Sequence, residues 1–137
     1  MKVKITQENL NDLKKKGIYR IYCTKSNKSY IGSTWKSFKS RWKQHLYKLN
    51  NNNHHSKEMQ NAFNKYGTDS FVCEILEIVT DKNILLKREE YYISLYDSYK
   101  NGYNENPIPS RSPMYNLNSK IKSSNTHKKC GKILKIL

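Results

Sequence analysis

Residues 17–34, GIYRIYCTKSNKSYIGST, contain two short runs of β-branched and aromatic residues around a polar segment. Runs of this composition predict strands, and the turn-forming residues between them predict a β-hairpin. Gly17 and Gly32 are unexpected here, because glycine weakens a strand unless another group approaches its backbone closely. A bulge or a strand end is the simpler explanation for either glycine. The hairpin is nevertheless the firmest local constraint on the fold.

The register of this hairpin decides whether Tyr19 and Tyr30 can act together. Side chains alternate between the two faces of a sheet, so a shift of one residue moves a side chain to the opposite face. The two tyrosines share a face when paired residue numbers have an odd sum, as in a pairing of Thr24 with Ser29. A shared site for the tyrosines therefore requires an odd register.

Three later stretches have helical periodicity. Phe38, Trp42, Leu46 and Leu49 recur at spacings of three or four between residues 36 and 49. Ser56 can cap a second helix that ends before Gly67, and Asp81 can cap a third that continues to about residue 96. Residues 70–79 alternate as a strand with one better-buried face. The order of these elements predicts an α+β domain.

The chain is strongly basic, with 26 Lys and Arg against 11 Asp and Glu and a net charge of +15. This charge favours a polyanionic partner, and the 11 Tyr, 2 Trp and 3 Phe among the basic residues favour nucleic acid over an anionic membrane. No apolar run approaches the ~20 residues of a membrane span, and the first residues lack the apolar core of a signal peptide. We therefore expect an intracellular protein, in the cytoplasm or the nucleus, with no membrane partner.

The cysteines and the common catalytic motifs give mainly exclusions. Cys23, Cys73 and Cys130 lie far apart, so they predict free thiols and neither a disulfide framework nor a zinc site. The chain contains no HExxH, GxxxxGK or GxSxG pattern. Zinc hydrolases, P-loop enzymes and α/β-hydrolases are therefore disfavoured.

Glu89 is the most informative charged residue of the third predicted helix. At 100° per residue it falls in the middle of an apolar arc, whereas Glu90 lies at the margin of that arc. A buried carboxylate is costly unless it meets a cation, a metal or hydrogen-bond donors. Pairing with one of the many Lys or Arg side chains is the simpler alternative. A second apolar patch on this helix predicts that it is covered on two sides; it consists of Ile84, Tyr91 and Leu95.

The first predicted helix places Arg41, His45 and Lys48 along one face. A planar guanidinium suits a phosphate, and a histidine can donate or relay a proton near neutral pH. A solvated basic face is the simpler alternative. Adjacent histidines point in different directions, so we do not interpret His54 and His55 as a metal-binding pair.

Five elements occur in the order found in the GIY-YIG endonucleases: GIY at 17–19, YIG at 30–32, Arg41 with His45, Glu89, and GYN at 102–104. The sequence resembles that family over about residues 17–106. RWKQH, FNKYG and KREEYYI make it most similar to the phage and viral branch related to homing endonucleases. The resemblance implies a three-stranded antiparallel sheet flanked by three helices, with residues 1–16 as an N-terminal extension.

The resemblance also implies a metal-dependent DNA endonuclease with one active site. Glu89 would be the ligand of a single divalent cation, Mg²⁺ or Mn²⁺, that binds the scissile phosphate. Tyr19 would act as general base or orient the attacking water, and Tyr30 would complete the hydrogen-bonding network. Because a free tyrosine has a pKa of ~10, nearby cations must favour the phenolate, and Lys28 or Lys36 could supply that charge.

The remaining roles implied by the resemblance concern the phosphate and the DNA. Arg41 would stabilise charge on the phosphate, His45 would assist proton transfer or phosphate binding, and Asn104 would brace the site. Gly32 would leave space for a phosphate backbone beside Tyr30, and Gly17 would permit a close approach at the sheet edge. The expected DNA contacts are Gly32, Lys36, Arg41 and Lys48.

Residues 107–137 carry seven Lys or Arg and no acidic residue, so they predict a basic C-terminal tail that can serve as a DNA-binding arm. Two other functions stay open at this point. One is a DNA-binding module that has kept the fold without turnover, and the other is a repair nuclease that recognises flaps or junctions. Either a monomer or a transient dimer is compatible with one active site per chain.

Overall fold

The computed structural model describes residues 1–4, 7–109 and 134–135, which form an α+β fold. The helices are α1 (Phe38–Asn50), α2 (Lys57–Tyr66) and α3 (Lys82–Leu95). The strands are β1 (Lys2–Lys4), β2 (Gly17–Cys23), β3 (Lys28–Thr34), β4 (Phe71–Ile78) and β5 (Leu134–Lys135). Short 3₁₀ helices cover Gln7–Lys14 and Thr68–Ser70. Among the described residues, no helix has the length and apolar character needed to cross a membrane.

The sheet is mixed, which corrects the predicted three-stranded antiparallel sheet. Its strand order is β3-β2-β4-β1-β5. β2, β3 and β4 are antiparallel neighbours as predicted, but β1 pairs in parallel with β4 and β5 pairs with β1. A strand of three residues is too short to show a recognisable alternation, so β1 escaped the sequence analysis. The predicted N-terminal extension therefore supplies part of the sheet, with Val3 fully buried.

The hairpin of β2 and β3 has the odd register that a shared site requires. Tyr19 lies opposite Gly32, and Tyr30 lies opposite Ile21. The strand pairing begins with Cys23 opposite Lys28, and not with Thr24 opposite Ser29. Both tyrosines consequently lie on the face of the sheet that packs against α1 and α2, which we call the α1 face.

Both glycines of the hairpin are explained by close approach, though not of the kind we expected. At Gly17, where φ is +151°, an added Cβ would lie 2.0 Å from the backbone oxygen of Glu77 in the neighbouring strand. Gly17 therefore lies inside the sheet, beside β4, and not at its edge. At Gly32, an added Cβ would lie 2.4 Å from Tyr19 Oη. The Tyr19 ring thus fills the space that we had assigned to a phosphate.

The three helices follow their predictions closely. Ser56 accepts a hydrogen bond from the backbone N–H of Met59, and Asp81 accepts one from Asn83, so both act as N-caps. α1 and α2 pack on the α1 face, around a core that contains Trp42. α3 packs on the opposite face, the α3 face, whose core contains Ile18, Ile31, Val79, Leu85 and Ile93.

The helical phase of α3 confirms one prediction and overturns another. Glu89 is buried and Glu90 is exposed, as the apolar arc predicted. However, Ile84, Tyr91 and Leu95 are 41%, 49% and 54% exposed, so α3 is covered on one side by the described part of the chain. Because α3 meets the sheet along a single stripe, apolar composition alone overestimated its burial.

Candidate active site

Strand β3 lies at one edge of the sheet, and the predicted site residues meet around that edge. Tyr30 lies on the α1 face of β3. From the α3 face, Glu89 accepts a hydrogen bond from Ser33 Oγ. Asn104 covers the edge itself, because its Oδ1 accepts from the Ile31 N–H at 2.7 Å and its Nδ2 donates to the Ile31 carbonyl at 2.8 Å. Residues from both faces of the sheet are thereby brought to one place.

A cavity of about 60 Å³ opens at this edge. Its walls are mostly polar, and Glu89, Asn104 and Tyr30 all line it. His55 and Glu105 also line the cavity, and burial raises the pKa of the Glu105 carboxyl. Since one water needs roughly 10–15 Å³ of such space, the cavity has room for a few waters.

A chain of hydrogen bonds leads from α2 to Tyr19. The backbone N–H of Ser56 donates to Nδ1 of His54 at 3.0 Å. His54 Nε2 lies 2.7 Å from His45 Nδ1, and His45 Nε2 lies 2.6 Å from Tyr19 Oη. Because Nδ1 of a neutral His54 accepts this bond, the ring hydrogen of His54 lies on Nε2. That N–H donates a hydrogen bond to His45 Nδ1. His45 Nδ1 is therefore an acceptor, so a neutral His45 carries its single ring hydrogen on Nε2. This N–H donates a hydrogen bond to Tyr19 Oη.

The surroundings of both histidines keep them neutral, as this assignment requires. Burial lowers the pKa of His45 well below its usual value, and the neighbouring His54 and Arg41 lower it further. Burial, followed by the charges of His55 and Lys48, lowers the pKa of His54 to about 3. Near neutral pH both His45 and His54 are consequently uncharged.

Arg41 supplies the permanent charge next to Tyr19. Its guanidinium hydrogen-bonds the Tyr19 phenol and, through Nη1, Gln44 at 2.8 Å. Burial by itself would lower the pKa of Arg41, but the nearby Tyr19, Tyr30 and Glu89 outweigh burial and raise it. Arg41 therefore takes the place expected for Lys28 or Lys36. Lys28 Nζ instead lies 3.8 Å from Glu58.

The structure thus gathers the six side chains predicted to be catalytic around one edge of the sheet. They are Tyr19, Tyr30, Arg41, His45, Glu89 and Asn104. Of the predicted DNA contacts, Lys36 shares a groove with Arg41, and Lys48 lies near enough to lower the pKa of His54. The packing of Gly32 under Tyr19 gives that residue a structural role.

His54 and His55 are site residues that the sequence analysis did not assign. His54 is 1% exposed and links His45 to α2, while Tyr30 Oη lies 3.2 Å from His55 Nε2. Their loop has no periodicity, and its position depends on contacts between α1 and α2. The available signal was local: a histidine two residues before the helix-capping Ser56.

The donor set around Glu89 fits a hydrated divalent cation. Among residues 1–4, 7–109 and 134–135, no group of three or more His, Cys, Asp or Glu side chains could hold a metal ion. A cation at Glu89 would therefore take most of its ligands from water and substrate. Mg²⁺ binds in this way, because it prefers oxygen ligands and retains several waters.

This chain is similar to known proteins in both sequence and fold. Residues 15–104 match the family described as the GIY-YIG catalytic domain. Intron-associated endonuclease 1 of Enterobacteria phage T4 is 44% identical over 91 residues, which are 66% of this chain and 36% of that protein. The match thus spans little more than a third of the length of this curated relative.

Two solved structures have the same fold. The catalytic domain of the homing endonuclease I-TevI is 42% identical, with a TM-score of 0.62 over 66% of this chain and 97% of that one. A mutant of the catalytic domain of the intron endonuclease I-TevI is 40% identical, with a TM-score of 0.64 over 69% of this chain and 97% of that one.

Proposed function

Because the chain belongs to the GIY-YIG family, we propose that it is a DNA endonuclease of the homing-endonuclease type, which hydrolyses phosphodiester bonds at the edge of β3. One observation carries this proposal above all. The Tyr19 oxygen accepts a hydrogen bond from neutral His45 and a second one from the Arg41 guanidinium. Such an arrangement is expected for a group that must hold negative charge.

The donors to Tyr19 suit it to act as a general base. Hydrogen bonds to a phenol oxygen, one of them from a cation, favour the deprotonated form. A phenolate can then accept a proton from a water that attacks phosphorus, provided that the water lies within hydrogen-bond reach. His45 acts as a donor in this arrangement, since His54 occupies its Nδ1.

The other side chains supply charge and position. Glu89 holds the divalent cation, Mg²⁺ or Mn²⁺, which when bound polarises the scissile phosphate. Arg41 stabilises charge on the phosphate oxygens. Asn104 holds Ile31 on both of its backbone groups and so keeps Tyr30, the preceding residue of β3, at the cavity. These roles are consistent with a single active site per chain.

DNA is the partner that the charge of +15 favours. A groove beside the site, lined by Trp35, Lys36, Arg41 and Gln44 among others, offers cations next to the cavity. Phosphate contacts of this kind make binding fall steeply with salt. The basic tail proposed as a DNA-binding arm lies mostly outside the described residues.

The quaternary state and the cellular location follow from the same proposal. With one site per chain, a double-strand cut needs a second copy or two successive nicks, so we expect a monomer or a transient dimer. Because its substrate would be DNA, we expect the protein inside the cell, in the cytoplasm or the nucleus.

Cleavage of supercoiled plasmid at low salt tests this function. The wild type is incubated with Mg²⁺, with Mn²⁺ and with EDTA, and Glu89→Gln is compared with Glu90→Gln, whose side chain is exposed. We expect metal-dependent nicking that is lost in Glu89→Gln and retained in Glu90→Gln. Salt-sensitive binding without cleavage by the wild type would instead indicate a binding module. Faster cutting of flap or branched DNA than of linear DNA would indicate a repair nuclease.

A further inference from the structure

His55 is a polar side chain at the cavity that has no role in the reaction described above. We propose that His55 is a positioning residue, which holds the Tyr30 hydroxyl in the orientation that phosphodiester cleavage requires. This inference rests on the proposed function and adds a residue to its site.

The first support is direct contact. Tyr30 Oη and His55 Nε2 lie 3.2 Å apart, within hydrogen-bonding distance. The two rings have their centroids 5.7 Å apart and meet at 67°. Tyr30 and His55 also line the same cavity as Glu89 and Asn104. His55 therefore touches the site tyrosine at the place where substrate is expected to enter.

The second support is the way in which the His55 ring is held. It stacks on the His54 ring, with centroids 4.4 Å apart and an interplanar angle of 24°. His54 is fixed in turn by Ser56 on one side and by His45 on the other. The orientation of His54 therefore constrains the plane of His55, although the His55 side chain itself is exposed.

A constrained imidazole matters because the hydrogen of a tyrosine hydroxyl has two preferred positions, both near the plane of the ring. A hydrogen bond to His55 selects one of these positions. If His55 Nε2 accepts, the hydroxyl hydrogen points to His55 and a lone pair faces the cavity; if Nε2–H donates, the hydroxyl hydrogen faces the cavity. Without His55, Tyr30 would sample both hydroxyl orientations, only one of which suits the attacking water or the phosphate. The expected consequence is slower chemistry with nearly unchanged DNA binding.

A double-mutant cycle between His55 and Tyr30 tests this role. His55→Phe keeps a stackable ring but removes the hydrogen bond, and His55→Gln keeps polar atoms within reach. We expect kcat to fall roughly 10-fold in His55→Phe with little change in KM, and to recover largely in His55→Gln. In the Tyr30→Phe background, His55→Phe should have no further effect, because the group that it orients is absent.

The controls separate this inference from the proposed function. Asn53→Ala, an exposed change in the same loop, should leave kcat unchanged. Equal losses from His55→Phe in the wild-type and Tyr30→Phe backgrounds, or a change confined to KM, would overturn the positioning role while leaving the nuclease proposal intact. A wild type that binds DNA but cuts none of the substrates would overturn the proposed function, and this role with it.

Discussion

Tyr19 and Arg20 are neighbours in β2, yet they bury polar groups in opposite ways on the two faces of the sheet. On the α3 face, Arg20 is 1% exposed and binds Glu74 through Nε at 2.8 Å and through Nη2 at 2.6 Å. Its guanidinium also packs against the rings of Tyr22 and Tyr96, at 4.1 and 4.6 Å from their centroids. Here a buried cation is matched by a buried anion.

On the α1 face, the described residues bury polar groups without an ion pair between a buried cation and a buried anion. Tyr19 is hydrogen-bonded to a chain of neutral histidines, and the nearby Arg41 lines the neighbouring groove. Donors are directed at one phenol oxygen, whereas on the α3 face each charge is cancelled by its partner. The comparison teaches that neither charge of the Arg20–Glu74 pair can be removed alone without loss of stability, whereas the Tyr19 network directs its donors at one oxygen, as the proposed chemistry requires.

The largest expected effect comes from breaking the pair on the α3 face. Arg20→Leu removes the cation that pairs with the buried Glu74 carboxylate, which should lower the free energy of unfolding by about 3–5 kcal/mol. Urea denaturation followed by circular dichroism measures this loss. Cleavage per folded molecule should be unaffected, and a selective loss of activity in a stably folded Arg20→Leu would contradict the division between the two faces.

The next effect comes from the α1 face and should fall mainly on activity. Tyr19→Phe removes the acceptor of the His45 and Arg41 hydrogen bonds and, in the proposed mechanism, the base itself. Cleavage should fall about 100-fold or more, since general bases contribute roughly 10²–10⁴-fold. The rate of cleavage is measured under single-turnover conditions, as the conversion of supercoiled plasmid to nicked circles. Tyr47→Phe, at a tyrosine that is 70% exposed, is the matched control. Nearly normal cleavage by Tyr19→Phe would refute the base assignment.

The third prediction concerns the pH dependence of the free energy of unfolding, to which His54 on the α1 face contributes. The unfolded chain protonates a histidine near pH 6.5, whereas folded His54, with a pKa of about 3, stays neutral. As pH falls below 6.5, the unfolded state binds the proton and the folded state does not, so stability decreases toward pH 3. Between pH 7.5 and pH 5 the loss due to His54 is roughly 2 kcal/mol.

Urea denaturation across this pH range compares the wild type with His54→Gln. The variant lacks the titrating group, so its stability should fall less between pH 7.5 and pH 5. Lys82→Ala, an exposed change at the start of α3 on the other face of the sheet, should keep the pH dependence of the wild type. The same pH slope in the wild type and in His54→Gln would show that His54 is not held neutral.

The smallest expected effect concerns DNA affinity. Lys36→Ala and Lys48→Ala each remove one cation near the site, and each should reduce the slope of log K against log salt by about 1 if it contacts a phosphate. Fluorescence anisotropy with a labelled duplex measures the slope. Lys82→Ala, a change at the exposed start of α3, serves as the control and should leave the slope unchanged.

The parts of the structure that could be predicted from the sequence are those governed by local geometry. Ser56 and Asp81 cap their helices because capping depends on a few neighbouring residues. Glu89 was placed correctly because helical phase alone separates it from Glu90. Whether the two tyrosines share a face depended only on the register of the hairpin.

The parts that could not be predicted depend on residues far apart in the chain. The parallel pairing of β1 with β4 joins residues about 70 positions apart, as in Lys2 with Val72. The bond between Arg20 and Glu74 has no local signature, because both side chains occupy ordinary strand positions. The role of His54 likewise appears only when its loop meets His45.

The covering of β3 by residues 103–104 has a consequence for association between chains. Tyr103 N–H donates to the Ser29 carbonyl at 2.7 Å, and the Asn104 amide occupies both backbone groups of Ile31. These are the groups through which an exposed outer strand would recruit a strand from another molecule. Asn104 thus protects the protein from edge-to-edge aggregation at the same position where it supports the site.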